Sequence, residues 1–255
     1  KPEFTFDTTL SYAGIIKNRT LNGDLYIHFS GDPYLTTQQL TALLNQIKKN
    51  KITSIKGTIF IDKSTFDSIP YPPGWLWGDL SYSFASPLSA IIIDENKFHF
   101  HFTPSKILGQ HPTVTNTLPN HIISKTNHIQ TTSQYLKNCP LTIYSNAYNE
   151  YTLGGCLPSK WGKQQRSVAL RNPDSLAMHL VKQSLQKNHV QYSDIQFTSH
   201  RPHSLHTLAI HHSQPLSNMM SDLLQHSNNL TANALLKMLG AHYYQTQGGF
   251  QNGLK

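Results

Sequence analysis

Alternation of apolar and polar side chains marks several strands in this chain. At 97–103 every second residue is a phenylalanine, which is the pattern of a half-buried strand. Other short apolar runs end at turn-forming residues such as Gly, Asp and Pro. The predicted strands are 24–29, 56–62, 97–103, 190–197 and 205–211, with further short hairpin strands expected between 110 and 165.

Apolar residues at helical spacing predict two shorter helices. The first follows Thr36 and Thr37, either of which can cap a helix, and its apolar positions extend to Ile47. The second begins in the segment Asn172-Pro-Asp174, where Asn172 or Asp174 can serve as the cap.

The longest helical pattern, 216–239, is interrupted by the polar segment His226-Ser-Asn-Asn229. Asn and Ser compete with the helical backbone and prefer helix caps. The interruption therefore predicts a helix, a tight turn and a second helix, with Asn228 or Asn229 as the cap of the second.

The charge balance is basic. The 255 residues include 21 Lys and Arg against 13 Asp and Glu, a formal charge of +8 that attracts polyanions. The charges are scattered, the densest run is 48–51, and only four of the 21 are Arg. Because the specific recognition of nucleic-acid bases favours Arg, we expect no nucleic acid as partner. An anionic wall polymer or a peripheral association with a membrane surface stays open, and no apolar run is long enough to predict a transmembrane segment.

The two cysteines, Cys139 and Cys156, flank a segment with the pattern of a hairpin. An even number of cysteines without a Cys-x-x-Cys motif favours a disulfide and an oxidising compartment, which in bacteria means the periplasm or the outside. Two unrelated buried thiols are the alternative. Although the chain has fifteen histidines, none has a Cys or acidic partner at a zinc-binding spacing, so we expect no metal and no other cofactor.

Several short segments occur along the chain in an order that is typical of one protein family. They are Gly23-Asp-Leu-Tyr26, Gly31-Asp-Pro-Tyr-Leu35, Gly57-Thr-Ile-Phe-Ile-Asp62, Pro73-Gly-Trp-Leu-Trp-Gly-Asp79, Ser86-Pro-Leu-Ser-Ala90, Leu153-Gly-Gly-Cys-Leu-Pro158, Ala169-Leu-Arg-Asn-Pro-Asp174 and Ser227-Asn-Asn229. Together they span nearly the whole chain. The chain resembles the class C low-molecular-mass penicillin-binding proteins of the penicillin-binding protein 4 type, in which the last motif usually reads Ser-Asp-Asn.

The resemblance implies that this chain carries one of three catalytic motifs. Ser227 would relay a proton, and Asn229 would hold the substrate amide. The family's nucleophile lies in Ser-x-x-Lys, but the one such sequence here, Ser184-Leu-Gln-Lys187, is in the wrong order relative to Ser227, and we interpret it as surface helix. Lys-Thr-Gly and Lys-Ser-Gly are both missing. We expect the nucleophile segment before Lys1 and the Lys-Thr-Gly strand after Lys255.

The resemblance also implies a substrate-binding pair. Asp79, after the Pro-Gly-Trp segment, and Phe84, five residues later, occupy positions that line the family's pocket for the free-amine side chain of the stem peptide. A carboxylate suits an ammonium group, and an aromatic ring packs against methylenes. The alternative is that Asp79 caps a loop and Phe84 belongs to the core.

By resemblance we expect an α+β fold of three parts. Residues 1–26 and 110–204 would form a β-rich accessory domain, 27–109 a small αβ domain inserted into it, and 205–255 part of the helical half of a β-lactamase/transpeptidase-like domain.

The implied activity is that of a periplasmic, exported D-alanyl-D-alanine carboxypeptidase/endopeptidase, a penicillin-sensitive serine hydrolase. Its partners would be peptidoglycan stem peptides and β-lactam antibiotics. This chain alone would be inactive because two motifs are missing. The alternative is a non-catalytic wall-binding or scaffolding protein of the same fold.

Overall fold

A computed structural model describes residues 1–255, in which thirteen strands and six α-helices are interspersed, so the α+β prediction is confirmed. The strands are β1 (Asp7–Lys17), β2 (Thr20–His28), β3 (Ser54–Asp62), β4 (Lys97–Thr103), β5 (Thr113–Asn116), β6 (Ser124–Asn127), β7 (Gln130–Thr132), β8 (Thr142–Ser145), β9 (Glu150–Gly154), β10 (Cys156–Pro158), β11 (Gln164–Ala169), β12 (Gln191–Thr198) and β13 (His206–His212). The helices are α1 (Thr37–Leu44), α2 (Gln46–Lys49), α3 (Pro173–Lys187), α4 (Leu216–His226), α5 (Asn229–Tyr244) and α6 (Phe250–Gly253). None of these helices is both long and apolar enough to cross a membrane.

The residues form two compact units. Unit 1 consists of Lys1–Pro72, Leu88–Glu95 and Pro173–Lys255, and unit 2 consists of Pro73–Pro87 and Asn96–Asn172. This grouping by contacts differs from the three-part division expected from the resemblance, which stays a prediction.

Unit 1 is built on one five-stranded sheet with the order β12-β3-β2-β1-β13. The central hairpin β1–β2 turns at Asn18 and Arg19, both of which have positive φ angles, as the two-residue turns of twisted hairpins require. Strand β3 runs parallel to β2 and to β12, whereas β13 pairs antiparallel with β1. The sheet therefore joins strands from both ends of the chain.

The two shorter predicted helices are present in unit 1. Thr36 caps α1 in a capping box with Gln39, which identifies which of the two threonines serves as the cap. Helix α3 begins with Pro173, a residue favoured in the first helical turn. Ser184 of α3 is buried at 4% exposure, so the interpretation of its segment as surface helix is wrong at the serine itself.

Unit 2 is built from three small sheets with the orders β10-β7, β11-β4-β5 and β6-β9-β8. Strand β4 buries Phe98, Phe100 and Phe102 on one face and leaves the intervening histidines partly accessible, as its alternation predicts. The disulfide Cys139–Cys156 is present and connects the segment after β7 to the start of β10, so the predicted bridge is confirmed. No set of three or more His, Cys, Asp or Glu side chains is placed to hold a metal ion.

Candidate functional site

The predicted turn between two helices is present in unit 1, where it holds the Ser-x-Asn motif. Helix α4 ends at His226 and is followed by its C-cap residue Ser227, whose φ of 51° and ψ of 46° are left-handed, and α5 begins at Asn229. The Asn228 side chain caps α5 by accepting a hydrogen bond from the Thr231 backbone N–H at 3.1 Å. The middle residue of the motif is thus the cap, and Ser227 and Asn229 are both exposed on either side of it.

A carboxylate on α4 organises the residues behind this turn. Asp222 accepts a hydrogen bond from the Tyr34 hydroxyl at 2.5 Å and lies 3.0 Å from Nδ1 of His226. The Thr231 hydroxyl on α5 donates to the same Tyr34 oxygen at 3.2 Å. Tyr34 therefore connects α4 and α5 across the turn from the loop that follows β2.

The pKa values of Asp222 and Tyr34 lie far apart. Hydrogen bonding from Tyr34 holds the pKa of Asp222 below its ordinary value, and His226 adds to the effect. Burial, followed by the hydrogen bond to Asp222, raises the pKa of Tyr34 to about 12. Near neutral pH, Asp222 is consequently a charged acceptor and Tyr34 a neutral donor.

A buried lysine anchors α5. Lys237 has no exposed surface, and its ammonium donates to Asp67 Oδ1 at 2.5 Å and to the Ile69 carbonyl at 2.6 Å. It also lies 4.5 Å from the centre of the Phe250 ring. Sequence reasoning missed this residue, although its place three residues after the buried Ala234 on the apolar stripe of α5 was a signal.

A second buried charge in unit 1 has fewer partners. Asp32, in the loop after β2, is 2% exposed, and one of its oxygens, Oδ1, accepts from the Tyr34 N–H. Its other oxygen, Oδ2, has no hydrogen-bond partner and lies 3.7 Å from Nε2 of His211. Burial raises the pKa of Asp32 to about 6 and lowers the pKa of His211.

The predicted substrate-binding pair lies in one loop of unit 2. Phe84 is 51% exposed, which is not expected of a core residue, and its ring stacks between Trp75 and Tyr82 with 5.9 Å between centroids on each side. Asp79 ends the short 3₁₀ turn Trp77–Asp79, and its side chain caps neither that turn nor another element. The structure thus brings Asp79 and Phe84 into one loop, and Ser227 and Asn229 into one turn of the other unit.

Comparison with known proteins agrees with these features. The model of the D-Ala-D-Ala carboxypeptidase 3 (S13) family matches residues 1–255. The D-alanyl-D-alanine carboxypeptidase DacB of Haemophilus influenzae is 30% identical over 253 residues, which are 98% of this chain and 52% of that protein. The D-alanyl-D-alanine carboxypeptidase of Actinomadura sp. (strain R39) is 24% identical over 85% of this chain and 42% of its own length.

A solved structure has the same fold. The crystal structure of penicillin binding protein 4 (dacB) from Haemophilus influenzae superposes with a TM-score of 0.86 at 31% identity, covering 99% of this chain and 56% of that one. The chain therefore spans about half the length of the relatives that it matches. With the family model matching it from end to end, the chain belongs to the D-Ala-D-Ala carboxypeptidase 3 (S13) family.

Proposed function

We propose that this chain carries part of the active site of a serine-type D-alanyl-D-alanine carboxypeptidase/endopeptidase that acts on peptidoglycan stem peptides and is acylated by β-lactams. The observation that carries the proposal is the turn in which Asn228 caps α5 while Ser227 and Asn229 stay exposed. A hydroxyl and a carboxamide two residues apart are thereby exposed on the same turn. The disulfide and the family's activity support a periplasmic, exported protein.

In the proposed reaction, a serine hydroxyl attacks the carbonyl of the D-Ala-D-Ala bond, and the terminal D-alanine leaves as its amine takes up a proton. Water then hydrolyses the acyl-serine and regenerates the hydroxyl. Ser227 passes the proton to the leaving amine, and the Asn229 amide holds the substrate. The attacking serine is not assigned to this chain, because Ser184 in its Ser-x-x-Lys is buried.

Labelling with a fluorescent penicillin tests the proposal. We expect no covalent label on the 255-residue chain and a stoichiometric label on the full-length gene product, at a serine in Ser-x-x-Lys. Ser227→Ala in that product should slow acylation by about a hundredfold or more while thermal unfolding stays unchanged. A full-length product that never labels would favour the wall-binding or scaffolding alternative, and a label at Ser184 would contradict our placement of the nucleophile.

We further propose that Asp79 and Phe84 bind the stem-peptide side chain through its free amine. The exposed Phe84 ring and the Asp79 carboxyl, which caps no element, support this role over the loop-cap alternative. In the complete enzyme, Asp79→Ala should reduce kcat/KM for an amine-bearing peptide about ten- to a hundredfold. The acetylated peptide and penicillin acylation should change little.

Glu150→Ala is the matched control, because Glu150 is an exposed acidic residue of the same unit. It should leave both peptides unaffected. If Asp79→Ala slows the free and the acetylated peptide by the same factor, Asp79 has a structural role and the assignment is wrong.

A further inference from the structure

An aromatic pair lies on the surface of unit 2, in the segments that follow β7 and β10. Tyr135 and Trp161 stack with 5.8 Å between ring centroids and 17° between planes. Both nevertheless remain accessible, Tyr135 at 56% and Trp161 at 42%, and the adjacent Leu136 is 36% exposed. Rings of this size usually contribute to a core or an interface, so an exposed pair with an aliphatic neighbour is a candidate contact surface.

The fold holds the two segments that carry these rings together. The Cys139–Cys156 disulfide joins them, and the Cys156 N–H donates to the Cys139 carbonyl at 3.1 Å. In addition, β7 and β10 pair in parallel, with Pro158 opposite Thr132. The two segments that carry Tyr135 and Trp161 are therefore linked by a disulfide and by strand pairing.

The loop before β5 adds a second exposed apolar segment next to the aromatic pair. The loop before β5 exposes Ile107 at 65% and Leu108 at 56%. Backbone hydrogen bonds tie this loop to β7, because the Gly109 N–H donates to the Thr131 carbonyl at 2.8 Å and the Thr131 N–H donates to the Gln110 carbonyl at 2.9 Å. Four large apolar or aromatic side chains on neighbouring loops, Ile107, Leu108, Tyr135 and Trp161, are thus exposed to water over 42 to 65% of their surface.

Every Lys, Arg, Asp or Glu in the segments that carry these side chains is a lysine. Exposed lysines occupy positions 106, 137, 160 and 163, and the segments 105–110, 132–139 and 156–163 contain no Asp or Glu. Unit 2 as a whole has eight Lys and Arg against two acidic residues, so it holds +6 of the formal +8 of the chain. The basic balance, which looks scattered in the sequence, is concentrated in one unit.

We infer that this lysine-aromatic surface, formed by Tyr135, Leu136, Lys137, Lys160, Trp161 and Lys163, binds the surface of a bilayer that contains anionic phospholipids, together with the neighbouring tip of Ile107 and Leu108. Trp and Tyr favour the headgroup region, aliphatic tips enter the acyl boundary, and lysines are attracted to anionic headgroups. Exposed Ile and Leu have no counterpart in a hydrophilic glycan, and lysines without Arg are poorly suited to reading bases. A bilayer with anionic headgroups can contact the rings, the aliphatic side chains and the lysines at the same time.

Vesicle binding of the 255-residue chain tests the inference without any requirement for catalysis. The chain should sediment with vesicles of equal parts phosphatidylcholine and phosphatidylglycerol, and much less with pure phosphatidylcholine. Trp161 emission should shift to shorter wavelength on binding, and the shift should disappear in Trp161→Phe. Sedimentation with neither vesicle would overturn the inference, as would retention on isolated peptidoglycan without retention on anionic vesicles.

Removing aromatic rings at two places on unit 2 tests whether the Tyr135–Trp161 pair has a specific role in binding. Tyr135→Ala with Trp161→Ala should weaken vesicle binding about tenfold, whereas Trp77→Ala, which removes a 76% exposed ring of the same unit, should leave it unchanged. Equal losses in both would show that the aromatic pair has no special role.

The lysines are tested by charge reversal at matched sites. Changing lysines 137, 160 and 163 to Glu should weaken binding at least about fiftyfold, since each lysine near an anionic surface contributes about fivefold. The same three changes at lysines 48, 49 and 51, the densest run of the sequence in unit 1, alter the net charge equally and should cost less than about fivefold. Equal losses in the two triple variants would attribute binding to net charge alone and overturn the inference.

Discussion

The two units stabilise their exposed functional segments by different means. In unit 1 the turn at Ser227 is supported by polar side chains, with Tyr34 and Asp222 behind the turn and Lys237 beneath α5. In unit 2 the loop of Asp79 is supported by stacked rings, and the lysine-aromatic surface by stacking and a disulfide. Directional bonds to buried charges fix geometry at the cost of desolvation, whereas stacked rings tolerate changes of protonation.

The difference has experimental consequences. The stability of unit 1 should depend on pH and on single polar groups. The stability of unit 2 should depend on its disulfide and on its aromatic rings.

The largest effect is expected at Lys237. Lys237→Ala removes an ammonium with two hydrogen-bond partners and leaves a cavity beside Asp67, so the free energy of unfolding should fall by about 3 to 5 kcal/mol. Lys237→Met fills much of the space and should cost less. Urea unfolding measures both, with the exposed Lys182→Ala on α3 as control. A loss at Lys237 no larger than at Lys182 would show that Lys237 does not anchor α5.

Next in size is the disulfide of unit 2. Replacing Cys139 and Cys156 by Ser opens a loop with a sequence separation of 17. The free energy of unfolding should then fall by about 3 kcal/mol in the chain-entropy model. Dithiothreitol should destabilise the wild type by a similar amount and leave the Ser variant unchanged. Two free thiols in the untreated chain, detected by alkylation and mass spectrometry, would contradict the disulfide.

The pH dependence of unit 1 should come in part from Asp32. Its pKa is raised in the folded chain to about 6, so its contribution to stability is complete below the ordinary value of 3.8 and is lost as the pH rises through about 6. Asp32→Asn, which keeps an acceptor for the Tyr34 N–H, should therefore be more stable than wild type by about 3 kcal/mol at pH 7.

That advantage should shrink as the pH falls and disappear at about pH 3, where wild-type Asp32 is protonated in both the folded and the unfolded chain. Unfolding curves across this range test it, with Asp194→Asn at an exposed position as control. An Asn variant that is less stable than wild type at pH 7 would indicate that the Asp32 charge is compensated.

A smaller effect is expected at Asp222. Asp222→Ala leaves the Tyr34 hydroxyl without its acceptor and should cost about 1 to 2 kcal/mol, with increased hydrogen exchange at the start of α5. Ser221→Ala, one position earlier on α4, should change neither quantity by a comparable amount. Unchanged exchange in α5 would show that Tyr34 does not couple the two helices.

The smallest effect is expected in the stack of unit 2. Phe84→Ala should cost about 1 kcal/mol, because the ring is half exposed and its stacking contributes modestly. The cost should be equal at pH 5 and pH 8, which tests the contrast with unit 1. A clear pH dependence would mean that a titrating group supports this loop as well.

Local patterns in the sequence identified much of the fold. The alternation of Phe98, Phe100 and Phe102 located β4, and the polar interruption before Leu230 located the turn between α4 and α5. These predictions succeed because the period of burial and the preference for caps act over a few residues. The disulfide was identified for a similar reason, since only one pairing of two cysteines exists.

Long-range polar contacts could not be predicted. The Tyr34–Asp222 bond joins residues 188 positions apart, and the Lys237–Asp67 bond spans 170. A single polar residue in a sequence carries no information about its partner, so the networks that support the Ser227 turn appear only in three dimensions. The positive charge of unit 2 is a different case, because all eight of its Lys and Arg lie in the continuous segment Asn96–Asn172 and only the boundaries of that segment had to come from the structure.

The left-handed backbone of Ser227 has a consequence for protein engineering. A side chain at this φ of 51° is strained relative to glycine, so any procedure that ranks substitutions by folding free energy alone will favour glycine or asparagine there. Such a design would gain stability and lose the hydroxyl that the proposed chemistry uses. Libraries intended to improve thermal tolerance in this family should therefore hold the position equivalent to Ser227 fixed and seek stabilising changes elsewhere.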